Sequence, residues 1–168
     1  MPYQDHRRQA RQSVTCAVIT VSDTRTEETD KSGQLIRELL EAQGHKVAHY
    51  AITKDEPDNI RAQIKQLAAD EKCHVVLLNG GTGLAPRDTT YEAIDGLLEK
   101  RLTGFGELFR YLSYEEIGSG AMASRATAGT YGKLLIFSTP GSTPAVRLAM
   151  EKLILPELAH LVWLMQAS

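Results

Sequence analysis

The sequence predicts a three-layer α/β/α fold, in which a mostly parallel sheet carries helices on both of its faces. The chain has 168 residues, a length that suits one compact domain. Hydrophobic residues make up 42% of the chain and charged residues 24%, which is typical of a globular protein. Apolar segments of about five to seven residues alternate with helical patterns of about ten or more, as in α/β proteins with a parallel sheet.

The first predicted elements are a strand, a helix and a second strand. Residues 15–21 are apolar or β-branched at almost every position, which predicts a strand buried on both faces. Residues 32–43 carry leucine and isoleucine at helical spacing, and Gly44 is the residue expected just beyond that helix. Residues 46–52 are the second strand candidate.

A second helix, a third strand and a third helix follow. Asp55 is a favourable N-cap residue, and Pro57 suits the first turn of a helix. Residues 74–78 predict a short buried strand. Residues 88–99 predict a helix that presents its apolar side chains on one face.

The second half of the chain has a less even pattern. Residues 104–117 predict a helix, whereas residues 118–129 are rich in glycine and predict no regular element. Residues 134–138 predict another buried strand. Residues 144–155 predict a helix that opens on a proline, and a second proline is expected to start a last helix over residues 156–165.

These last two predicted helices are more apolar than one helix face requires. The surplus predicts that part of their surface is an oligomer interface, and a well-buried terminal helix is the alternative. The apolar residues are Leu153, Ile154, Leu158, Leu161, Val162, Trp163 and Leu164.

Composition argues against several functional classes. A net charge of −2 and an aromatic content of 6% offer neither a basic surface nor a stacking platform for nucleic acid. The sequence shows no membrane span and no secretory signal. Cys16 and Cys73 lie beside apolar segments and are predicted to be buried hydrophobic residues. We expect a cytoplasmic protein, with residues 1–13 as a flexible N-terminal arm before a domain at 14–168, and an Arg-rich organellar transit segment is the alternative for those residues.

Unusual residues follow three of the predicted strands, at 22–25, 79–88 and 139–143. Parallel strands separated by helices bring their carboxyl ends to one edge of the sheet. Ligands of such folds bind in the crevice beyond that edge. We therefore expect these three segments to form the functional site.

The middle segment has the features of a phosphate site. Gly80, Gly81 and Gly83 have backbone N–H groups that can approach an anion closely. Their spacing matches neither the Rossmann fingerprint nor the P-loop, and a tight turn without a ligand is the alternative interpretation. The nearby pair Arg87 and Asp88 favours a ligand that combines Mg²⁺ with phosphate.

The other polar residues at the strand ends each have two interpretations. Asp23, Asp55 and Asp88 can cap helices or turns, but if they converge they can hold one or two Mg²⁺ ions. Ser142 can bind an anion or cap the next helix. Arg125 can bind phosphate through two hydrogen bonds or remain a solvated surface charge.

Taken together, these segments resemble the molybdopterin-binding domain family of molybdenum cofactor biosynthesis proteins, and they are most similar to its MoaB branch. The similarity extends over about residues 14–160, and an ordered set of motifs carries it. The motifs are Thr20-Val21-Ser22-Asp23, Asp30-Lys31-Ser32-Gly33, Gly80-Gly81-Thr82-Gly83, Arg87-Asp88 with Thr90, Gly104-Phe105-Gly106-Glu107, Ser124-Arg125 and Pro140-Gly141-Ser142. The MoaB branch is indicated by Leu112-Ser113-Tyr114-Glu115-Glu116-Ile117-Gly118 and by Thr143 after Ser142.

The resemblance implies an α/β domain that assembles as a trimer or hexamer, binds molybdopterin and works with other cofactor-biosynthesis proteins. In catalytic members Mg-ATP adenylylates the terminal phosphate of molybdopterin and pyrophosphate is released. By position, Asp55 and Asp88 are the implied catalytic residues and Mg²⁺ ligands. The implied substrate-binding residues are Ser22, Asp23, Gly80, Gly81, Thr82, Gly83, Arg87, Ser124, Arg125, Pro140, Gly141 and Ser142.

Three functions remain to be separated by the structure and by experiment. The first is molybdopterin adenylyltransferase activity with Mg²⁺ and ATP. The second is a non-catalytic oligomer that binds or carries molybdopterin in the same pathway. The third is a nucleotide-binding domain of unrelated function. The presence of all three candidate aspartates favours the first.

Overall fold

The computed structural model describes residues 3–5 and 13–167. The strands are β1 (Thr15–Val21), β2 (Lys46–Thr53), β3 (Val75–Asn79), β4 (Lys100–Arg101), β5 (Thr127–Tyr131) and β6 (Leu134–Thr139). The helices are α1 (Lys31–Ala42), α2 (Pro57–Ala69), α3 (Thr90–Asp95), α4 (Thr103–Ile117), α5 (Thr143–Ala149) and α6 (Leu155–Gln166). A 3₁₀ helix at Gly118–Ala123 and a π-helical turn at Met150–Ile154 complete the elements. Most of the predicted arm, at residues 1, 2 and 6–12, lies outside the described residues.

The six strands form one mixed sheet in the order β2-β1-β3-β6-β5-β4. Strand β1 pairs in parallel with β2 and β3, and β3 pairs in parallel with β6. Strand β5 is antiparallel to both β6 and β4. The prediction of a mostly parallel sheet is confirmed.

Helices cover both faces of this sheet, which confirms the three layers. Because side chains alternate along a strand, Val18 faces one core and its neighbour Ile19 faces the other. The first core packs against α1, α4, α5 and α6. The second packs against α2 and α3. Strands β1, β3 and β6 are mostly apolar because both of their faces are buried.

Two strands near the sheet edge were not predicted, and the helix expected over 88–99 is shorter than predicted. Helix α3 ends at Asp95, and the backbone N–H of Glu99 then donates to the carbonyl of Thr130 in β5. Gly129 occupies the centre of β5, where a Cβ atom would lie 2.2 Å from the Lys100 carbonyl oxygen. The glycine that permits this close pairing also weakens the strand pattern in the sequence.

The helix break predicted before Pro156 is wrong. The backbone continues from α5 through the π turn into α6, and the Leu155 N–H donates to the carbonyl of Met150. Proline lacks the N–H that would continue an α-helical ladder, and the wider π turn before it accommodates the irregularity. Ile154, Leu158 and Val162 belong to the core, as the buried-helix alternative predicts.

Candidate functional site

The segments after β1, β3 and β6 surround an open cavity of about 580 Å³ at the carboxyl edge of the sheet. Their meeting at one edge follows the strand alternation, as predicted. Helix α4 and the 3₁₀ helix form the opposite wall. The lining residues are Val21, Ser22, Thr24, Arg25, Gly80, Gly81, Thr82, Gly83, Asp88, Phe109, Ser113, Ile117, Gly120, Ala121, Ala123, Ser124, Pro140, Gly141, Ser142 and Ala145.

Hydrogen bonds at Gly141 and Gly80 link the three segments. The Gly141 carbonyl accepts a hydrogen bond from Arg25 Nη2 at 2.9 Å and another from Ser32 Oγ of α1 at 2.6 Å. The Gly80 N–H donates to the carbonyl of Thr139 at 2.9 Å. Side-chain and backbone donors together therefore link the cavity walls.

Gly80 and Gly81 are required by the backbone itself. Their φ angles are +101° and +68°, a region that side chains disfavour. A Cβ atom on Gly80 would lie 2.2 Å from the Val21 carbonyl oxygen, and one on Gly81 would lie 2.0 Å from Thr90 Oγ1. The tight-turn interpretation is thus correct as a description of this backbone. The same turn lines the cavity, although the N–H of Gly80 is already used by the Thr139 carbonyl.

Asp55 is buried behind the turn at residues 80–83, which we call the glycine loop, and it does not line the cavity. Its carboxylate accepts hydrogen bonds from the Thr89 hydroxyl at 2.7 Å, the Thr90 hydroxyl at 3.1 Å and the Thr89 backbone N–H. It is not the predicted N-cap of α2, since Glu56 occupies that position. Asp55 instead fixes the start of α3 beneath Gly81.

Arg87 points to carboxylates of its own chain. Its Nε and Nη2 donate to the two oxygens of Asp23 at 2.8 and 2.9 Å, and Nη2 also meets Glu56 Oε1 at 3.0 Å. Its Nη1 donates to the carbonyl of Asp55 at 2.9 Å. Hydrogen bonds from Arg87 lower the pKa of Asp23, which therefore remains ionised. Neither Arg87 nor Asp23 lines the cavity.

Arg125 stabilises the glycine loop through hydrogen bonds to its backbone carbonyls. It forms an ion pair with Glu92 and donates to the carbonyls of Thr82 at 3.3 Å, Gly83 at 2.6 Å and Asp88 at 3.3 Å. Its guanidinium also lies 4.9 Å from the centre of the Tyr91 ring. The side chain is thus neither a solvated surface charge nor part of the cavity lining.

Asp88 is the single carboxylate in the lining of this cavity, among the residues that the structure describes. The capping alternative for Asp88 is wrong, because Thr89 occupies the N-cap position of α3. A Cβ on Gly83 would lie 2.6 Å from Asp88 Oδ2, so the carboxylate leans over the glycine loop. This is the one acidic group placed to meet a ligand there.

The three predicted aspartates do not converge. Asp23 faces Arg87, Asp55 is buried under Gly81, and Asp88 lines the cavity. Within residues 3–5 and 13–167, no group of three or more histidine, cysteine or acidic side chains is arranged to hold a metal ion. The condition for a shared cluster of the three carboxylates is therefore not met in the described chain.

Comparison with known proteins decides the family. A family profile described as "Probable molybdopterin binding domain" matches residues 17–160, which is most of the chain. The chain belongs to the molybdopterin-binding domain family.

Within the molybdopterin-binding domain family, this chain is similar to proteins named molybdenum cofactor biosynthesis protein B. One from Bacillus subtilis (strain 168) is 57% identical over 163 residues, which is 96% of each chain. One from Bacillus cereus is 55% identical over 164 residues, which is 97% of each chain. The prediction of the MoaB branch is confirmed by these relatives.

Solved structures of the same family have the same fold. A crystal structure of a molybdenum cofactor biosynthesis protein B aligns with a TM-score of 0.91 at 55% identity, covering 95% of this chain and 100% of the other. The tungsten cofactor synthesizing protein MoaB from Pyrococcus furiosus aligns with a TM-score of 0.81 at 39% identity. That alignment covers 91% of this chain and 97% of the other.

For the molybdopterin-binding domain of this chain, the sequence missed two groups of lining residues. The first is Arg25, which follows the predicted strand end and is the only cation among the lining residues described. The sequence did point to the neighbourhood of this residue, because Arg25 lies in the segment 22–25 that follows the first predicted strand. The second is the wall formed by Phe109, Ser113 and the 3₁₀ helix, for which a glycine-rich stretch gave no signal.

The described residues fit a magnesium ion only in a limited way. Asp88 offers one carboxylate, while the carboxylate of Asp55 is already held by Thr89 and Thr90. Mg²⁺ commonly takes one or two carboxylates and completes its shell with water and substrate phosphates. The site therefore fits a Mg²⁺ ion that arrives with a polyphosphate.

Over residues 3–5 and 13–167, no helix has the length and apolar content needed to cross a membrane.

Proposed function

We propose that this protein acts in molybdenum cofactor biosynthesis, where it binds molybdopterin and adenylylates its terminal phosphate with Mg-ATP. Family membership supports molybdopterin as the ligand. The observation that carries the proposal is the position of Asp88, a lone lining carboxylate above a glycine turn in a cavity of about 580 Å³. A glycine backbone suits phosphate oxygens, and a carboxylate beside it suits the Mg²⁺ that accompanies them.

The reaction joins two phosphates. An oxygen of the molybdopterin phosphate attacks the α-phosphorus of ATP, a new P–O bond forms, and the bond to the leaving pyrophosphate breaks. Charge neutralisation and alignment supply most of the catalysis in such transfers. In the proposed site, Asp88 would hold Mg²⁺, which would supply neutralisation of phosphate charge. The backbone N–H groups of Gly81 and Gly83 orient the phosphate oxygens, since the N–H of Gly80 already donates to the Thr139 carbonyl.

Asp55 has a supporting role in this proposal. It is 5% exposed, and its carboxylate is occupied by the hydroxyl groups of Thr89 and Thr90. Its loss would loosen the loop that carries Asp88. A direct role of Asp55 as a Mg²⁺ ligand stays a prediction, and it requires these hydrogen bonds to be exchanged for metal contacts.

Asp88→Asn tests the enzyme. The change keeps the shape of the side chain but removes its charge. We expect turnover to fall about a hundredfold or more, because a charge-stabilising group at the transferring phosphate is lost. The wild-type protein, Asp88→Asn and the fully exposed control Asp58→Asn are each incubated with molybdopterin and Mg-ATP. The adenylylated product is identified by mass. Unchanged turnover in Asp88→Asn contradicts the role given to Asp88.

A carrier that binds molybdopterin without turnover is the second candidate. The absence of a metal-binding cluster among the described residues and the structural use of Asp55 favour it. This candidate predicts that wild-type protein binds molybdopterin tightly and yields no adenylylated product. The mass measurement separates the two candidates.

We also propose that the protein is a cytoplasmic homo-oligomer, as the family resemblance implies. Helix α4 carries four large exposed apolar side chains, at Leu108, Tyr111, Tyr114 and Ile117. Monomeric proteins rarely leave so many large apolar side chains on one helix exposed to water. Assembly as trimers or hexamers through α4 would cover part of this surface.

A further inference from the structure

The cavity needs a positive charge to receive a phosphate, and among its described lining residues only Arg25 supplies one. Asp88 is the other charged side chain in that lining. The arginines that the sequence singled out, Arg87 and Arg125, both lie outside the cavity wall. The source of positive charge in this site is therefore different from the one that the motifs indicate.

The donors of Arg87 and Arg125 are occupied by their own chain. Arg87 donates to both oxygens of Asp23 and to Glu56, and Arg125 pairs with Glu92 and three backbone carbonyls. A guanidinium whose donors are occupied in this way gains little by turning to a ligand. Arg25 also faces a carboxylate, Asp30, at 3.7 Å, but it donates no hydrogen bond to it.

Arg25 has N–H donors that make no hydrogen bond within the described chain. Its side chain makes one hydrogen bond within the described chain, from Nη2 to the Gly141 carbonyl. Its Nη1 is buried without a hydrogen-bond partner and lies 3.7 Å from Asp30 Oδ1. The side chain as a whole is 32% exposed and lines the cavity. Because Nη1 is buried against Asp30, the donors left for a phosphate are Nε and the second N–H of Nη2, which suit the several acceptor oxygens of a phosphate.

A buried network fixes this arginine. The Asp30 side chain is 0% exposed, and it accepts hydrogen bonds from the Gly33 N–H at 3.0 Å and the Tyr50 hydroxyl at 2.5 Å. Burial and the Asp30 carboxylate raise the pKa of Tyr50, so its hydroxyl stays a donor. The Tyr50 ring is itself held 3.8 Å beneath the guanidinium of Arg37. Strand β2 and helix α1 thereby set the position of Asp30, which in turn faces Arg25.

We propose that Arg25 binds the phosphate monoester of the substrate in this cavity, and that Asp30 and Tyr50 position it for that contact. The proposal rests on the function proposed above, since it places the substrate phosphate beside the glycine turn. It assigns Arg25 as a binding residue, with Asp30 and Tyr50 as positioning residues. Arg87 and Arg125 then serve to hold the loops.

Inorganic phosphate is the first probe, because its binding can be measured without molybdopterin or ATP. We expect Arg25→Gln to weaken phosphate binding about tenfold or more, and Arg25→Lys to weaken it less because the charge remains. Arg61→Gln, which changes a half-buried arginine on α2 that does not line the cavity, should leave binding unchanged. Titration calorimetry gives the dissociation constants, and circular dichroism checks folding. Equal binding by wild type and Arg25→Gln, or no binding by wild type, overturns the proposal.

Tyr50→Phe tests positioning, since it removes the hydroxyl and keeps the ring under Arg37. We expect it to weaken phosphate binding about threefold in the wild-type background and to have no effect in the Arg25→Gln background. A merely structural role for Tyr50 would weaken binding equally in both backgrounds and would contradict the positioning role. Asp30→Asn should show the same dependence on Arg25.

Steady-state kinetics distinguish this proposal from the proposed function. If wild type turns over, Arg25→Gln should raise KM for molybdopterin more than it lowers kcat. If Arg25→Gln turns over with an unchanged KM, only the role of Arg25 is overturned and the proposed function is not. If wild type yields no product but phosphate binding still depends on Arg25, the adenylyltransferase function fails and the role of Arg25 stands.

Discussion

Asp55 and Asp88 are both aspartates that follow a strand, yet their surroundings give them different roles. Asp55 is enclosed by hydroxyl donors from Thr89 and Thr90, whereas Asp88 leans over Gly83 into the cavity. The same contrast separates Arg25 from Arg87, because only Arg87 lies between carboxylates. At this scale, the partners of a charged group decide whether it supports the loop or meets the ligand.

The Asp23–Arg87 pair gives a pH prediction at the residue scale. Hydrogen bonds from Arg87 lower the pKa of Asp23 in the folded protein. A lowered pKa stabilises the folded state above the ordinary pKa of the carboxyl group, and this stabilisation is lost as pH falls through the lowered value. Arg87→Gln should therefore raise the pKa of Asp23 and lower the urea midpoint near neutral pH.

Two measurements check this prediction. A carbon-13 NMR titration should show Asp23 protonating at higher pH in Arg87→Gln than in wild type. The difference between the two urea midpoints should narrow as pH falls below about 4, where aspartates become protonated. An unchanged titration of Asp23 in the variant would show that Arg87 does not hold this carboxylate.

Among the elements, the turn after β3 has the most constrained backbone. It leaves the sheet at Asn79, places Gly80 against the Val21 carbonyl, and passes over Asp55 before α3 begins at Thr90. Glycine at 80 and 81 is therefore a requirement of the fold as well as of any ligand. Substitution there acts on stability before it acts on chemistry.

Gly80→Ala should destabilise the protein by about 1–3 kcal/mol, because alanine disfavours a positive φ and its Cβ would meet a backbone oxygen. Gly104→Ala is the matched control. Gly104 lies in the first turn of α4 with no atom within 4 Å of an added Cβ. Alanine there should be neutral or stabilising by up to about 1 kcal/mol. Urea unfolding measures both, and equal effects would contradict a special backbone at Gly80.

In the whole molecule, the terminal helix α6 packs into the core, whereas helix α4 exposes apolar side chains to solvent. Ile154, Leu158 and Val162 of the terminal helical segment lie in the core, whereas Leu108 and Tyr111 of α4 are more than half exposed. Most of the apolar side chains that the sequence shows at residues 153–164 are buried or half-buried by packing against the rest of the chain. The proposed interface therefore moves to α4.

Light scattering at micromolar concentration tests that interface. We expect wild type to have a multiple of the 18.5 kDa chain mass. Leu108→Glu should shift it toward the monomer, because a charge in an apolar interface costs association free energy. Leu164→Glu, at a 43% exposed position on α6, should leave the mass unchanged. A monomeric wild type, or dissociation by Leu164→Glu alone, would contradict assembly through α4.

Much of the fold could be predicted from the sequence because β1, β3 and β6 are apolar on both faces and their helices have regular spacing. The site could be located for the same reason, since parallel strands end at one edge. The edge strand β5 and the continuous helix past Pro156 could not be predicted. Their conformations are set by close backbone contacts and a π turn that only the packed chain provides.

The sequence by itself determined the family, the layers and the three strand-end segments that line the cavity, because these depend on periodicity and on ordered motifs. Only the tertiary structure decided which charged residue faces which partner. Charge pairing depends on distances between residues far apart in the chain, such as 64 positions between Asp23 and Arg87. That pairing removed Arg87 and Arg125 from the cavity wall and left Arg25 and Asp88 to meet a ligand.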